Sequence, residues 1–347
     1  MFYSLNLDIL FLCLYTIKST QIKTSLALFF NSIMKNTAIL LLAFGGADSI
    51  EAIPSFLKNV MRGRVPSPGV IKTIKERYCQ IGGKSPITEI TRLQAQALQK
   101  QLEKKSESIS GVYIGMRNWH PFIKETLSEI ADTGCKKIIA ICMTPQRSNY
   151  SANGYEKDVS DGLDGLKEKP DLRFVPEWHM NHLFHEAVAE KITEAMILFK
   201  ENGQKTAVIF SAHSLPLKVM DNDDSYVHQI NETIKGVLSL TGDLDWKLGY
   251  QSKGLAPGEW LEPTVDSMLE SLPGEGYKNV LIVPIVFVSD HVEILYDIDI
   301  VYRQKTESLG LNFQRTKSLN DSPKFIEALS EIVMEILNRD GPSSGSG

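Results

Sequence analysis

Short runs of continuously apolar residues alternate with longer amphipathic stretches along most of this chain. Seven runs read as strands: TAILLLAF (37–44), VYIGMR (112–117), KIIAICM (137–143), LRFVPEW (172–178), AVIFSA (207–212), WKLGYQS (246–252) and NVLIVPIVF (279–287). Most carry no regular polar face, as expected of strands covered by helices on both sides. Between them lie helical patterns such as ITEITRLQAQALQKQLEKK, PFIKETLSEIADTG and FHEAVAEKITEAMILFKENG. The last two close on a glycine, a residue suited to ending a helix. Strand and helix in strict alternation predict an α/β fold built on parallel sheets.

The alternation starts afresh after the polar stretch QRSNYSANGYEKDVSDG. The pattern therefore predicts two Rossmann-like, doubly wound domains, over 34–150 and 151–315, with a C-terminal helix within 316–340 packing back on the core. The tail 341–347, ending GPSSGSG, reads as flexible. Residues 1–33 hold two apolar runs, LDILFLCLY and SLALFF, each far short of the roughly 20 residues of a membrane-spanning helix. Their lysines follow the first run, whereas a signal peptide has its charges first. Met34 directly precedes KNTAILLLAFGG, so 1–33 is expected to be an unstructured extension and Met34 the natural start.

Composition narrows the function. The 347 residues are 43% hydrophobic and 23% charged, with a net charge of −5 and both signs interspersed. No basic stripe of the kind a nucleic-acid surface needs is visible. The four cysteines, Cys13, Cys79, Cys135 and Cys142, form no C-x-x-C pair. That pattern argues against a disulfide framework and a structural zinc site, and fits a reducing cytoplasm.

In doubly wound sheets the ligand crevice lies beyond the carboxyl ends of the strands. The residues there are GGADS (45–49), MRNWHP (116–121), TPQRSNYS (144–151), SAHSLP (211–216), QSKG (251–254) and VSDHVE (288–293). His213 follows a strand directly, either as a hydrogen-bonded structural residue or as a catalyst. Its S-x-H-S setting does not match the G-x-S-x-G elbow of serine hydrolases. Glu293 admits two readings as well. With Asp290 it could form a capping box opening the helix HVEILYDIDIVYRQK. Alternatively Asp290, Glu293 and Asp297, at i, i+3 and i+7, line one helix face as a cation path. His179, His182 and His185 step round a helix too far to share one metal. No G-x-G-x-x-G or G-x-x-x-x-G-K-[ST] motif occurs, which demotes nucleotide chemistry.

Six segments carry a family resemblance: LLLAFGGADSIEAIPSFLKNVMRGR, RYCQIGGKSPITEITRLQAQAL, YIGMRNWHPFI, FSAHSLP, YQSKGLAPGEWLEP and PIVFVSDHVEILYDIDIVYR. In order and spacing they resemble the ferrochelatase family, in particular its compact bacterial members, from Met34 to about residue 338. The resemblance implies two Rossmann-like domains with a porphyrin cleft between them, and insertion of ferrous iron into protoporphyrin IX or coproporphyrin III in haem biosynthesis. It implies His213 and Glu293 as the catalytic pair, with Asp297 joining them on the path of metal or protons. It puts Arg62, Arg64, Ser85 and Tyr155 at the porphyrin's carboxylate edge, and makes Trp260 and Pro263 structural. Three positions depart from the relatives' pattern. Asp48 stands where some carry a metal-contacting tyrosine, Val301 where they carry another acid, and Arg147 where an aromatic is common.

Fe²⁺ enters as substrate, and neither an organic cofactor nor an iron–sulfur cluster is expected. The expected partners are porphyrin and iron, with no nucleic acid, a peripheral membrane contact at most, and a monomeric cytoplasmic protein. Two rivals stand beside this reading: a chelatase for another metal and tetrapyrrole, and a non-catalytic haem or porphyrin carrier.

Overall fold

The computed structural model describes residues 36–199, 203–220, 224–254 and 258–339. The expected extension at 1–33, Met34 and the tail at 341–347 lie outside the described residues. The first half runs β1 (Thr37–Ala43), α1 (Ile53–Val60), α2 (Pro68–Gln80), α3 (Ile87–Leu102), β2 (Ile109–Met116), α4 (Ile123–Asp132), β3 (Lys137–Cys142), α5 (Asn149–Asp164) and β4 (Asp171–Val175). The second half runs α6 (His182–Met196), β5 (Thr206–His213), α7 (Tyr226–Thr241), β6 (Trp246–Gln251), α8 (Val265–Ser271) and β7 (Asn279–Pro284). A π-helix (Glu293–Tyr302), α9 (Arg303–Ser308), β8 (Asn312–Arg315) and α10 (Pro323–Arg339) complete it.

Each half is a four-stranded sheet with every pairing parallel, in the orders β2-β1-β3-β4 and β6-β5-β7-β8. The two orders are the same topology used twice. Alternate residues of the central strands explain why both read as unbroken apolar runs. Ile39, Leu41 and Ala43 of β1 face one core, and Ala38, Leu40 and Leu42 face another under α4 and α5. In β5, Val208, Phe210 and Ala212 join the first of these cores, while Ala207 and Ile209 face α8 and the π-helix. A fully buried Leu or Ile contributes about 1.5–3 kcal/mol, so exposing either face of β1 would be costly.

The core shared by both halves also takes Phe325, Leu329 and Val333 of α10. That helix packs against α3 of the first half and α6 of the second. It therefore ties the two domains together. Two buried glutamines cross the same junction. Gln94 of α3 donates to Ser289 Oγ and to the Asn320 carbonyl, both at 2.9 Å, and Gln146 donates to Thr233 Oγ1 at 3.0 Å.

The boundary expected at 150/151 moves. α5 packs on α4, and β4 pairs with β3, so the first domain continues through Val175. The polar stretch that resembles a linker is a crevice loop followed by α5, whose outer residues are solvated. β8, absent from the expected strands, is a four-residue edge whose sequence NFQR is polar at three of its four positions.

Candidate active site

The second sheet reverses its winding between β5 and β7, since the chain moves to β6 on one side and to β8 on the other. At such a switch point the loops diverge and leave a crevice. His213 ends β5, and the chain leaving β7 at Pro284 returns to it, with Ile285 N–H donating to the Ser211 carbonyl at 3.0 Å. Eight residues later Glu293 opens the π-helix.

His213 Nδ1 lies 2.6 Å from the Ser214 carbonyl. A carbonyl can only accept, so Nδ1 carries a hydrogen and Nε2 is left as the exchanging atom. That Nε2 faces Glu293 Oε1 at 3.5 Å. Tyr226 Oη donates to the His213 carbonyl at 3.1 Å and steadies the strand end. A second imidazole repeats the pattern. His291 Nδ1 donates to the Ser289 carbonyl at 2.9 Å, and its Nε2 lies 3.5 Å from Glu293 Oε2. One carboxylate thus sits between two imidazoles, with the Phe287 ring edge-on to both.

Asp297 follows along the π-helix. Ser252 Oγ donates to its Oδ2 at 2.5 Å, and Arg77 of α2 reaches across from the first domain to 3.8 Å from Oδ1. Ser252 has φ of 59°, a left-handed conformation that non-glycine residues hold mostly where their surroundings enforce it. Gln251 Nε2 donates to the Glu293 carbonyl at 3.3 Å, so the end of β6 braces the π-helix at two points.

The charges of these groups are set against each other. Burial disfavours protonated His213, but the charge and hydrogen bond of Glu293 outweigh it and raise the pKa above the ordinary 6.5. Burial would lift Glu293, yet His213 and His291 hold it well below the usual carboxylate range. Asp297 moves the other way, raised by burial and by the charge of Glu293 against the opposing bond from Ser252. Neighbouring acids with pKa values driven apart can take separate roles at one pH. Side chains of His213 and Glu293 remain 29% and 32% exposed to the crevice, so a ligand can reach them.

Over residues 36–337 the sequence matches the family model described as Ferrochelatase. The chain belongs to the ferrochelatase family. A ferrochelatase of Herpetosiphon aurantiacus is 36% identical over 86% of this chain and 98% of its own length. A coproporphyrin III ferrochelatase of Oceanobacillus iheyensis is 33% identical over 87% of this chain and 97% of its own. Among solved structures, SirB from Bacillus subtilis with Fe³⁺ superposes with a TM-score of 0.54 at 11% identity, covering 86% of this chain and 95% of that one. That likeness is one of fold.

The other residues tied to the ferrochelatase resemblance fall in different surroundings. Ser85 is buried beside the end of β1, its N–H donating to the Ala47 carbonyl at 2.9 Å. Gly46 lies so close that a Cβ there would come within 2.5 Å of Ser85. Arg62 and Arg64 stand exposed on the turn between α1 and α2. Tyr155 differs from all of these. It is 3% exposed, packed in the core beneath α4 and α5 with the Arg117 guanidinium over its ring. An edge residue for a bound ring needs a face in the crevice, and Tyr155 has none.

Asp290 also leaves its expected place. No capping box forms, because the helix opens at Glu293 after Val292, and the Asp290 carboxylate turns to Ser318, Asn320 and Arg315. The three-acid stripe reduces to Glu293 and Asp297. Val301 packs against the apolar core beneath the π-helix. Asp48 is exposed, and the Arg147 N–H is taken by Gln229 at 2.6 Å. The three histidines of 179–185 point to separate partners: Glu232, Glu331 and the His179 carbonyl. Trp260 is buried and its segment bridges Pro216.

Sequence reasoning assigned no role to His291, Ser252 or Arg77. The first two lie in the strand-end segments VSDHVE and QSKG, which was the available signal. Arg77, in the last turn of α2, opens the segment RYCQIGGKSP, whose part in the resemblance was the available signal.

Proposed function

We propose that this protein inserts ferrous iron into a porphyrin for haem synthesis, with His213 and Glu293 as the reacting pair. The observation that carries the reading is the facing of His213 Nε2 and Glu293 Oε1 at 3.5 Å inside a switch-point crevice. Metallation exchanges one Fe²⁺ for two pyrrole N–H protons, so the site must accept protons while offering ligands weak enough to let iron go. An imidazole whose basicity is raised suits the first task, and its Nε2 is the atom left free to act. A positioned base of this kind contributes roughly 10²–10⁴-fold. A proton taken there meets Glu293 and, beyond it, His291. Carboxylate oxygens of Glu293 and Asp297 offer Fe²⁺ a short path of hard ligands.

The carboxylates of the porphyrin edge fall to Arg62 and Arg64, whereas Ser85, expected beside them, is nearly as enclosed as Tyr155. A guanidinium grips a carboxylate through two parallel bonds, and both arginines stand exposed on the turn, Arg64 Nε donating to the Met61 carbonyl at 3.3 Å. Tyr155 is not among them. No helix among the described residues is long and apolar enough to cross a membrane. The reading takes the protein as a cytoplasmic monomer that uses no organic cofactor and no iron–sulfur cluster.

Anaerobic Fe²⁺ insertion by the purified full chain, with coproporphyrin III and protoporphyrin IX in parallel, tests this. Metallation of either supports it, and the faster substrate names the pathway branch. Tight binding of both with no metallation overturns it in favour of a carrier.

A further inference from the structure

Beside the π-helix lies a partly buried polar cluster that the chemistry above does not use. Arg315, at the end of β8, has a side chain only 12% exposed. Its Nε and Nη2 fork the two oxygens of Asp299 at 2.7 and 2.8 Å. Its Nη1 donates to the Thr316 carbonyl at 2.9 Å and lies 3.3 Å from Asp290 Oδ1. The Asp290 carboxylate is further held by Ser318 Oγ at 2.7 Å and Asn320 Nδ2 at 3.0 Å, and its own N–H donates to Asn320 Oδ1 at 3.0 Å. One guanidinium therefore grips the chain on both sides of Glu293, three residues before it and six after.

The geometry points to Arg315 as a positioning residue: it fixes the register of the π-helix and thereby the place of Glu293 against His213. The inference rests on the proposed role of Glu293. A ten-residue π-helix is unusual, because i→i+4 bonding is the default for the same residues and π-turns are mostly single bulges. Something outside the helix must favour the wider form. Rewinding to an α-helix would turn each residue after Glu293 progressively further round the axis. With Glu293 kept on His213, Asp299 would swing off the guanidinium and lose its fork, leaving Arg315 with the Asp290 contact at 3.3 Å. A bidentate pair largely shielded from water is costly to break in that way, since its charges have given up much of their hydration. Only the wide register lets Glu293 meet His213, Asp297 meet Ser252 and Asp299 meet Arg315 together. The anchor also reaches the first domain, because Asn320 takes the bond from Gln94 of α3.

The test is Arg315→Lys, which keeps the charge and loses the fork. Iron insertion is measured at saturating porphyrin, and the dissociation constant of metal-free porphyrin is measured separately by fluorescence. The expected result is a fall in kcat of about 10²-fold, the scale of a displacement of about 1 Å at a reacting group. Porphyrin affinity should stay within about twofold. Asp299→Asn loosens the same fork with no change of shape and carries the same expectation, which covers the case of a lysine variant that does not fold. The double variant should be no slower than the slower single one, as for two halves of one contact. Full kcat in folded Arg315→Lys or Asp299→Asn overturns the inference. So does an equal loss of porphyrin binding, because the cleft would then be collapsing and not the turn moving. An inactive wild-type protein would instead sink the functional reading itself.

Discussion

The two halves of the molecule carry the same strand order, and in each a helix joins the third strand to the fourth. In the first half that helix is α5, an ordinary α-helix with Ser148 as its N-cap, its hydroxyl accepting the Tyr150 N–H at 3.1 Å. In the second half it is the π-helix, with no side-chain cap and an acid at its first residue. The strand ends differ in the same sense. β1 runs out into Gly45 and Gly46, where the backbone closes tightly on Met116 and Ser85. β5 runs out into His213, whose imidazole is held open to a facing carboxylate. One topology thus makes a smooth wall once and a reactive surface once. The difference lies in which residues follow the strands, and in the anchor: Arg315 grips both sides of Glu293, whereas Arg117 in the first half holds α5 from within, through Asp158 at 3.0 Å.

Breaking the reactive side should have the larger effects. Glu293→Gln keeps the shape and removes the charge, and insertion should fall by about 10²-fold or more. The same change should lower the His213 pKa, because the charge that raises it is gone. The sign for stability follows. With its folded pKa raised, His213 contributes stability that is fully present below about 6.5 and is lost as pH rises through the higher folded value. Glu293, depressed in the fold, contributes above the ordinary carboxylate range and loses that contribution under strong acid. The melting temperature of the wild type relative to Glu293→Gln should therefore decline on the alkaline side of His213's titration. A flat difference across that range would show that the two groups are not coupled.

On the wall side the expected effects are structural. Gly46→Ala forces a methyl group to within 2.5 Å of Ser85, and should cost about 1–3 kcal/mol of stability by overpacking. Calorimetry reads this directly, and a neutral result would mean that the β1 end is looser than described. The smallest effect belongs to Tyr155→Phe. With its ring enclosed, porphyrin affinity should not change, and a tenfold weaker dissociation constant would restore the residue to the cleft.

Much of this division was legible in the sequence, for physical reasons that vary along the chain. β1, β3, β5 and β7 announce themselves because both faces are buried and their interiors are apolar, with Ser211 of β5 the one polar interruption. His213 and Glu293 stand out because each follows such a run. β8 did not, since NFQR has the composition of a loop and owes its strand form to pairing with β7. The domain boundary was misplaced because the crevice loop and the solvated face of α5 look like a linker. The π-helix was hidden more deeply. Asp290 and Glu293 have the spacing of a capping box, and nothing local reveals that Asp290 is claimed by Arg315, a residue 25 positions on and brought there only by β8. Tyr155 was assigned by resemblance alone, and burial in its own domain decides against it.

The central claim is that His213 carries the chemistry and the first domain's wall does not. Its most direct test is anaerobic Fe²⁺ insertion at saturating porphyrin by His213→Ala beside the wild type, with porphyrin binding and thermal melting measured on both. A rate lower by about 10²–10⁴-fold, with binding and melting preserved, is the predicted result. A folded His213→Ala protein that metallates porphyrin at the wild-type rate would contradict the account.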